Sequence, residues 1–141
     1  MLPLESAIAP RLKSLGFRKK ARTWWRDRDE TIQVVNLQKS SYGDRLHVNL
    51  GIYVRVLGTD TSPSERHCQI SARLETVAPE ACWNDVVSLE ALVAPPPTVI
   101  DAVVVSAIDW LESLARVEDI RAFVDSPTSK PFLIFATARA L

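Results

Sequence analysis

From Leu46 to Arg55 the chain alternates without a break. Leu46, Val48, Leu50, Ile52 and Val54 take one parity, and His47, Asn49, Gly51, Tyr53 and Arg55 take the other. Successive side chains of a strand point to opposite faces, so this run specifies a strand with one aliphatic and one polar face. Such one-sided strands belong to antiparallel sheets, because strands of parallel sheets are buried on both faces and read as continuous apolar runs. His67–Leu74 repeats the pattern, with Cys68, Ile70, Ala72 and Leu74 expected inward and His67, Gln69, Ser71 and Arg73 outward. Upstream, Arg22–Arg26 and Thr31–Gln38 flank the polar turn Asp27–Glu30 and read as a hairpin. The four segments leave no room for crossover helices, so an antiparallel meander of about four strands is expected.

Helical spacing brackets that sheet. Leu4, Ile8, Leu12 and Leu15 form one face of a helix over residues 3–15, closed by Gly16, with Pro10 expected to kink or restart it. The segment 76–97 carries Pro79 and Pro95–Pro97 and reads as irregular, with Trp83 expected to anchor it on the core and a short helix placed near Asp85–Leu92. From Thr98, a candidate N-cap, the residues Ile100, Val103, Val104, Ala107, Ile108, Leu111, Leu114 and Ala115 define a broad apolar face. That helix is the expected cover for the aliphatic side of the sheet. Val117–Val124 reads as a second short helix, and 131–141 as a third, with Phe132–Phe135 open to an edge strand instead. The expected fold is therefore α+β, one domain over 1–141, with the N-terminal and C-terminal helices on one face.

Composition narrows the class. At 141 residues and 47% hydrophobic content the chain holds enough apolar mass for a core without staples. No stretch reaches the roughly 18 apolar residues of a membrane span, and the first residues lack a signal-peptide pattern, so a cytoplasmic location is expected. Cys68 and Cys82 are expected as buried or half-buried thiols; two Cys and two His at scattered spacing do not make a metal site. Net charge is zero but segregated. Residues 1–28 carry eight bases against two acids, whereas 75–125 carry ten acids against two bases. Internal pairing and a charged partner both fit that asymmetry.

Ordered blocks of sequence add a resemblance. Leu12–Lys20, Thr23–Arg26, Val34–Ser40, Val48–Ile52 and Cys68–Leu74, in that order, resemble the bacterial domain-of-unknown-function family 4304 over roughly residues 4–90. The resemblance implies a lean toward toxin neutralisation, as an immunity protein, and supplies no catalytic residues.

The polar parity of the strands carries the functional expectation. With the third and fourth strands adjacent, His47, Asn49, Tyr53, His67, Gln69 and Arg73 share a face, joined by either Gln38 or Lys39 from the second strand. An ordinary solvated strand face is rich in Lys, Glu and Thr. This one is rich in Asn, Gln, Tyr and His, which are costly to keep dry without partners. A protein partner, such as a toxin, is the first expectation. A small molecule or nucleotide on the same face, with or without catalysis, is the alternative. Neither strand brings a carboxylate to orient His47 or His67 as a base, so no catalytic residue is assigned and no cofactor is expected. The basic run Arg18–Arg22 beside Trp24 and Trp25 has the residue types of a nucleic-acid surface. A pI near 6.7 opposes that reading, as does strand geometry, which sends one Trp to the core. Gly51, inside the polar parity, marks either a shallow depression for a ligand or a packing accommodation for a Trp.

Overall fold

The computed structural model describes residues 1–141. Helix α1 (Pro3–Ser14) leads into strands β1 (Arg18–Lys20), β2 (Thr23–Asp27), β3 (Thr31–Lys39), β4 (Leu46–Val54) and β5 (Ile70–Arg73). Short helices α2 (Leu74–Val77) and α3 (Trp83–Val87) follow, then the long α4 (Pro97–Ser113), α5 (Val117–Asp125), β6 (Leu133–Ile134) and α6 (Ala136–Arg139). The six strands form one antiparallel meander in the order β1-β2-β3-β4-β5-β6. The α+β class and the meander stand as expected; the strand count rises from about four to six.

Both extra strands are short edges. β1 pairs back onto β2 across the two-residue turn Ala21-Arg22, in which Ala21 takes a positive φ of 52°. β6 pairs with Ile70 and Ser71, so Phe132–Phe135 contributes an edge strand and α6 follows it.

The aliphatic face meets the helices as periodicity requires. Leu4, Ile8 and Leu12 of α1 and Val99, Val103, Val104, Ala107 and Leu111 of α4 pack in one cluster with Trp24, Val35, Leu37, Leu46, Val48, Leu50, Ile52 and Ile70. Each of the largest of these side chains gains about 1.5–3 kcal/mol from leaving water. α1 continues through Pro10 without restarting. Pro10 and Ser6 both lie on its exposed side, so the carbonyl that loses a helical donor is open to water. α4 starts at Pro97, one residue before the expected cap Thr98; a proline at the first position has no N–H to satisfy. Trp83 is half-exposed and does not anchor its segment. Val86, Leu89 and Ala91 are buried there instead, and Leu89 and Ala91 are stitched to β4 and its preceding turn by Leu46 N–H donating to Leu89 O (3.0 Å) and Ala91 N–H to Asp44 O (2.6 Å).

Candidate functional site: the second face of the sheet

The second face is best described in rows across the strands, because residues in register point the same way. One row runs Arg18–Trp25–Val34–Gly51–Ser71–Leu133 and the next outward is Asp27–Ile32–Tyr53. On the other side lie Lys20–Thr23–Asn36–Asn49–Arg73 and then Gln38–His47. The first pair of rows is covered and the second pair is open.

The cover is the connection between β4 and β5. Trp25, Ile32, Val34, Tyr53 and Cys68 form a small second core beneath it. Trp25 Nε1 donates to Pro63 O at 2.7 Å, and the Asp60 amide donates to Tyr53 Oη at 3.1 Å. Arg18 donates to Thr61 O and stacks over the Trp25 ring. Two glycines admit the close approach. A Cβ on Gly51 would stand 2.6 Å from Cys68 Sγ, and one on Gly58 would collide with Tyr53 Oη. Gly51 is thus a packing accommodation, for Cys68 rather than for either Trp.

This geometry corrects several expectations. Tyr53 is buried and holds the connection, so it is not offered to a partner. Gln69 is buried too, its Oε1 accepting from Val54 N–H at 2.7 Å. That side chain ends the β4–β5 ladder, which is why β5 begins at Ile70 and not at His67. His67 sits in a 3-10 turn over Glu65–His67, exposed and off the sheet. Cys68, expected beside Ile70, falls on the opposite face because the chain bends between them. Burial, with Glu65 and Asp60 adding to it, pushes the Cys68 thiol far above its usual range, so it is not a reactive thiolate. Cys82 is half-buried, and both thiols are free. Both Trp24 and Trp25 are buried, one in each core, where only one was expected to be.

The open half keeps His47, Asn49 and Arg73 together and takes Gln38, not Lys39, from β3. A ladder of side-chain amides fixes it. Asn49 Nδ2 donates to Asn36 Oδ1 (3.1 Å) and Gln38 Oε1 (2.9 Å), and Asn36 Nδ2 donates to Thr23 Oγ1 (3.0 Å). Asn49 itself is buried by its neighbours, whereas Gln38, Lys20 and Arg73 are exposed. Lys20 and Arg73 make no ion pair within 4.0 Å and stand at the two ends of the row. Four strand gaps separate them, roughly 19 Å at the usual spacing. Burial lowers the His47 pKa, and the Arg73 and Arg45 charges lower it further against the pull of Glu75, so its ring is neutral at pH 7. Thr23 and Asn36 were missed as site residues. Their signal lay in the change along Ile32-Gln-Val-Val-Asn-Leu-Gln38, where the second parity passes from aliphatic to amide.

The charge asymmetry is partly spent inside the molecule. Glu112 near the end of α4 accepts from Arg26 Nη2 (2.5 Å), Arg28 Nε (2.8 Å) and Gln33 Nε2 (3.1 Å), while Arg26 also donates to Gln33 Oε1 (2.8 Å). Burial pushes the Glu112 carboxyl up, but the hydrogen bonds from Arg28 and Gln33 and the charges of Arg28 and Arg26 outweigh it and hold the group below its ordinary range. Arg11 pairs with Asp101 at 3.0 Å. No group of three or more His, Cys, Asp or Glu side chains is placed to hold a metal. No helix is long and apolar enough to cross a membrane.

No curated protein and no solved structure matches the chain. A family model does, over residues 8–103, which takes in the second half of α1, five strands, the covering connection and the first part of α4. The row from Lys20 to Arg73 and, Leu133 aside, the covered rows lie inside the match, and the chain belongs to the family described as domain of unknown function DUF4304.

Proposed function

We propose that the chain is a non-enzymatic binding domain whose open half-face grips a protein partner, with toxin neutralisation as the role it serves. The reading rests on the row Lys20–Thr23–Asn36–Asn49–Arg73. Its amides are held rigid by one another, so little side-chain freedom is lost on binding. Its terminal cations are unpaired and would meet two acidic groups on the partner about 19 Å apart, one per end of the row. His47, neutral beside Arg73, offers a donor and an acceptor without adding charge. The two free thiols fit a cytoplasmic, bacterial setting.

Tyr53, Gln69 and His67 leave the proposed contact set, and Gln38, Thr23, Asn36 and Lys20 enter it. The test is co-expression with the toxin-like product of a neighbouring gene, followed by affinity measurement against the purified pair. Arg73→Ala with Gln38→Ala should weaken the complex by at least about tenfold, or 1.4 kcal/mol, while the domain stays folded. An unchanged affinity in a folded double variant would sink the proposal. A second reading draws on one observation. The Gln38 Nε2 amide is exposed beside the ladder and makes no intramolecular bond, a donor edge that a flat heterocycle could also use. Calorimetric titration with nucleotides separates the two.

A further inference from the structure

A different surface carries an inference beyond that reading. Between α1 and β1 lies an open groove of about 370 Å³, lined by Ala9, Pro10, Phe17 and Trp24 and rimmed by Lys13, Arg18 and Lys19. Its floor is apolar, and of its rim cations Arg18 is turned away to Asp27 (2.8 Å) while Lys13 is left free. Lys19 lies across the Trp24 ring, its Nζ 5.3 Å from the ring centre and 2.8 Å from Glu5 Oε2. Lys13 makes no ion pair within 4.0 Å, and Glu5, the one acid at this wall, is buried beneath Lys19.

The groove runs beside the free edge of the sheet. β1 has β2 on one side and no strand on the other. With Lys20 opposite Thr23 about a two-residue turn, the hydrogen-bonded pairs of the hairpin fall at Lys20 and Arg18. The N–H and C=O of Lys19 then point outward. An edge of this kind is a template for another strand.

We propose that this edge and groove take an extended acidic segment of a partner protein, added as a strand to β1 with one apolar side chain in the groove. Three features specify that occupant. The outward Lys19 backbone groups hydrogen-bond to its main chain. The wall of Ala9, Pro10 and Phe17 takes a single aliphatic side chain. Lys13, exposed and outside any ion pair, favours a carboxylate beside that side chain, and the consecutive cations Arg18, Lys19 and Lys20 repel a second β1, so the occupant is not another copy of this chain.

The probe is a capped eight-residue peptide of alternating glutamate and leucine, titrated into the isotope-labelled full chain and followed by amide NMR. The expected result is saturable shifts at Lys13, Phe17, Lys19 and the Trp24 indole, weakened at least about tenfold in Lys13→Glu. Lys13 is exposed and lies outside the partner face, so the variant keeps the fold and leaves that face intact. N-methylation of the peptide at alternate residues should abolish binding, since it removes the strand donors. Shifts confined to Asn36, Asn49 and Arg73 would move the peptide to the proposed partner face and overturn the inference while leaving that face intact. Absence of shifts at millimolar peptide would overturn it, as would concentration-dependent shifts at Lys19 without peptide, which assign the edge to self-association.

Discussion

The row through Gly51 and the row through Asn49 are neighbours on one face of one sheet, yet they meet opposite fates. The first runs from Trp25 through Val34 to a glycine and is closed over by Arg55–Cys68. The second runs from Thr23 through Asn36 to an asparagine and stays open. The strands are the same, so backbone geometry does not decide between them. What decides is whether a side chain can satisfy itself in place. The amides bond to one another along the row, whereas the aliphatic and aromatic groups gain only by being covered.

That contrast can be broken from the covered side. Trp25→Ala should cost most, about 3–5 kcal/mol, because it empties the centre of a small core and frees Pro63 O, and a denaturant titration reads it directly. Gly51→Ala comes next, about 1–3 kcal/mol, since Cys68 must shift to admit the new methyl; a parallel Cys68→Ala background should recover part of that loss. On the open side, Arg73→Ala and Gln38→Ala should each change stability by no more than about 0.5 kcal/mol, as neither is buried nor paired by charge. Equal costs on the two sides would erase the distinction.

The smallest effect is electrostatic and sits on His47. Its folded-state pKa lies below the ordinary 6.5, so the unfolded chain binds the proton more readily. Stability should therefore fall as pH drops from about 6.5 through the lower folded value and level off below it. Burial is the first cause of the depression and remains in Arg73→Ala, but the stronger of the two repelling charges is gone. The His47 ring resonances should then titrate at higher pH in that variant, and the stability loss on acidification should shrink.

Much of the fold was legible because period two and period 3.6 are local properties. The alternation at Leu46–Val54 and the apolar face of α4 each forced one side against the other. The covering of half the polar face was not legible by the same means. Strand parity says which residues share a face and is silent on what passes over it. The trace it left was two-sided: Trp24 with Trp25, and Ile32 and Val34 with Val35, place apolar groups on both faces at one end of the sheet only. Gln69 and Tyr53 were misplaced for a related reason. A polar side chain that caps a strand or anchors a loop looks, in sequence, like one that waits for a ligand. His47, Asn49 and Arg73 came through because their partners are cross-strand neighbours in a simple meander.

One atom of Glu112 gathers four N–H donors from Arg26, Arg28 and Gln33, and Arg26 reaches on to Leu15 O at the end of α1. The two strands, the long helix and the first helix are thereby tied at a single point, and no one of them can leave without stranding the charges of the others. The melting of this chain should accordingly be concerted, layers and termini together. Acid should approach it from the same place, because the carboxylate's contribution is present above its ordinary pKa of 4.5 and is surrendered as pH falls through the lower value it holds in the fold.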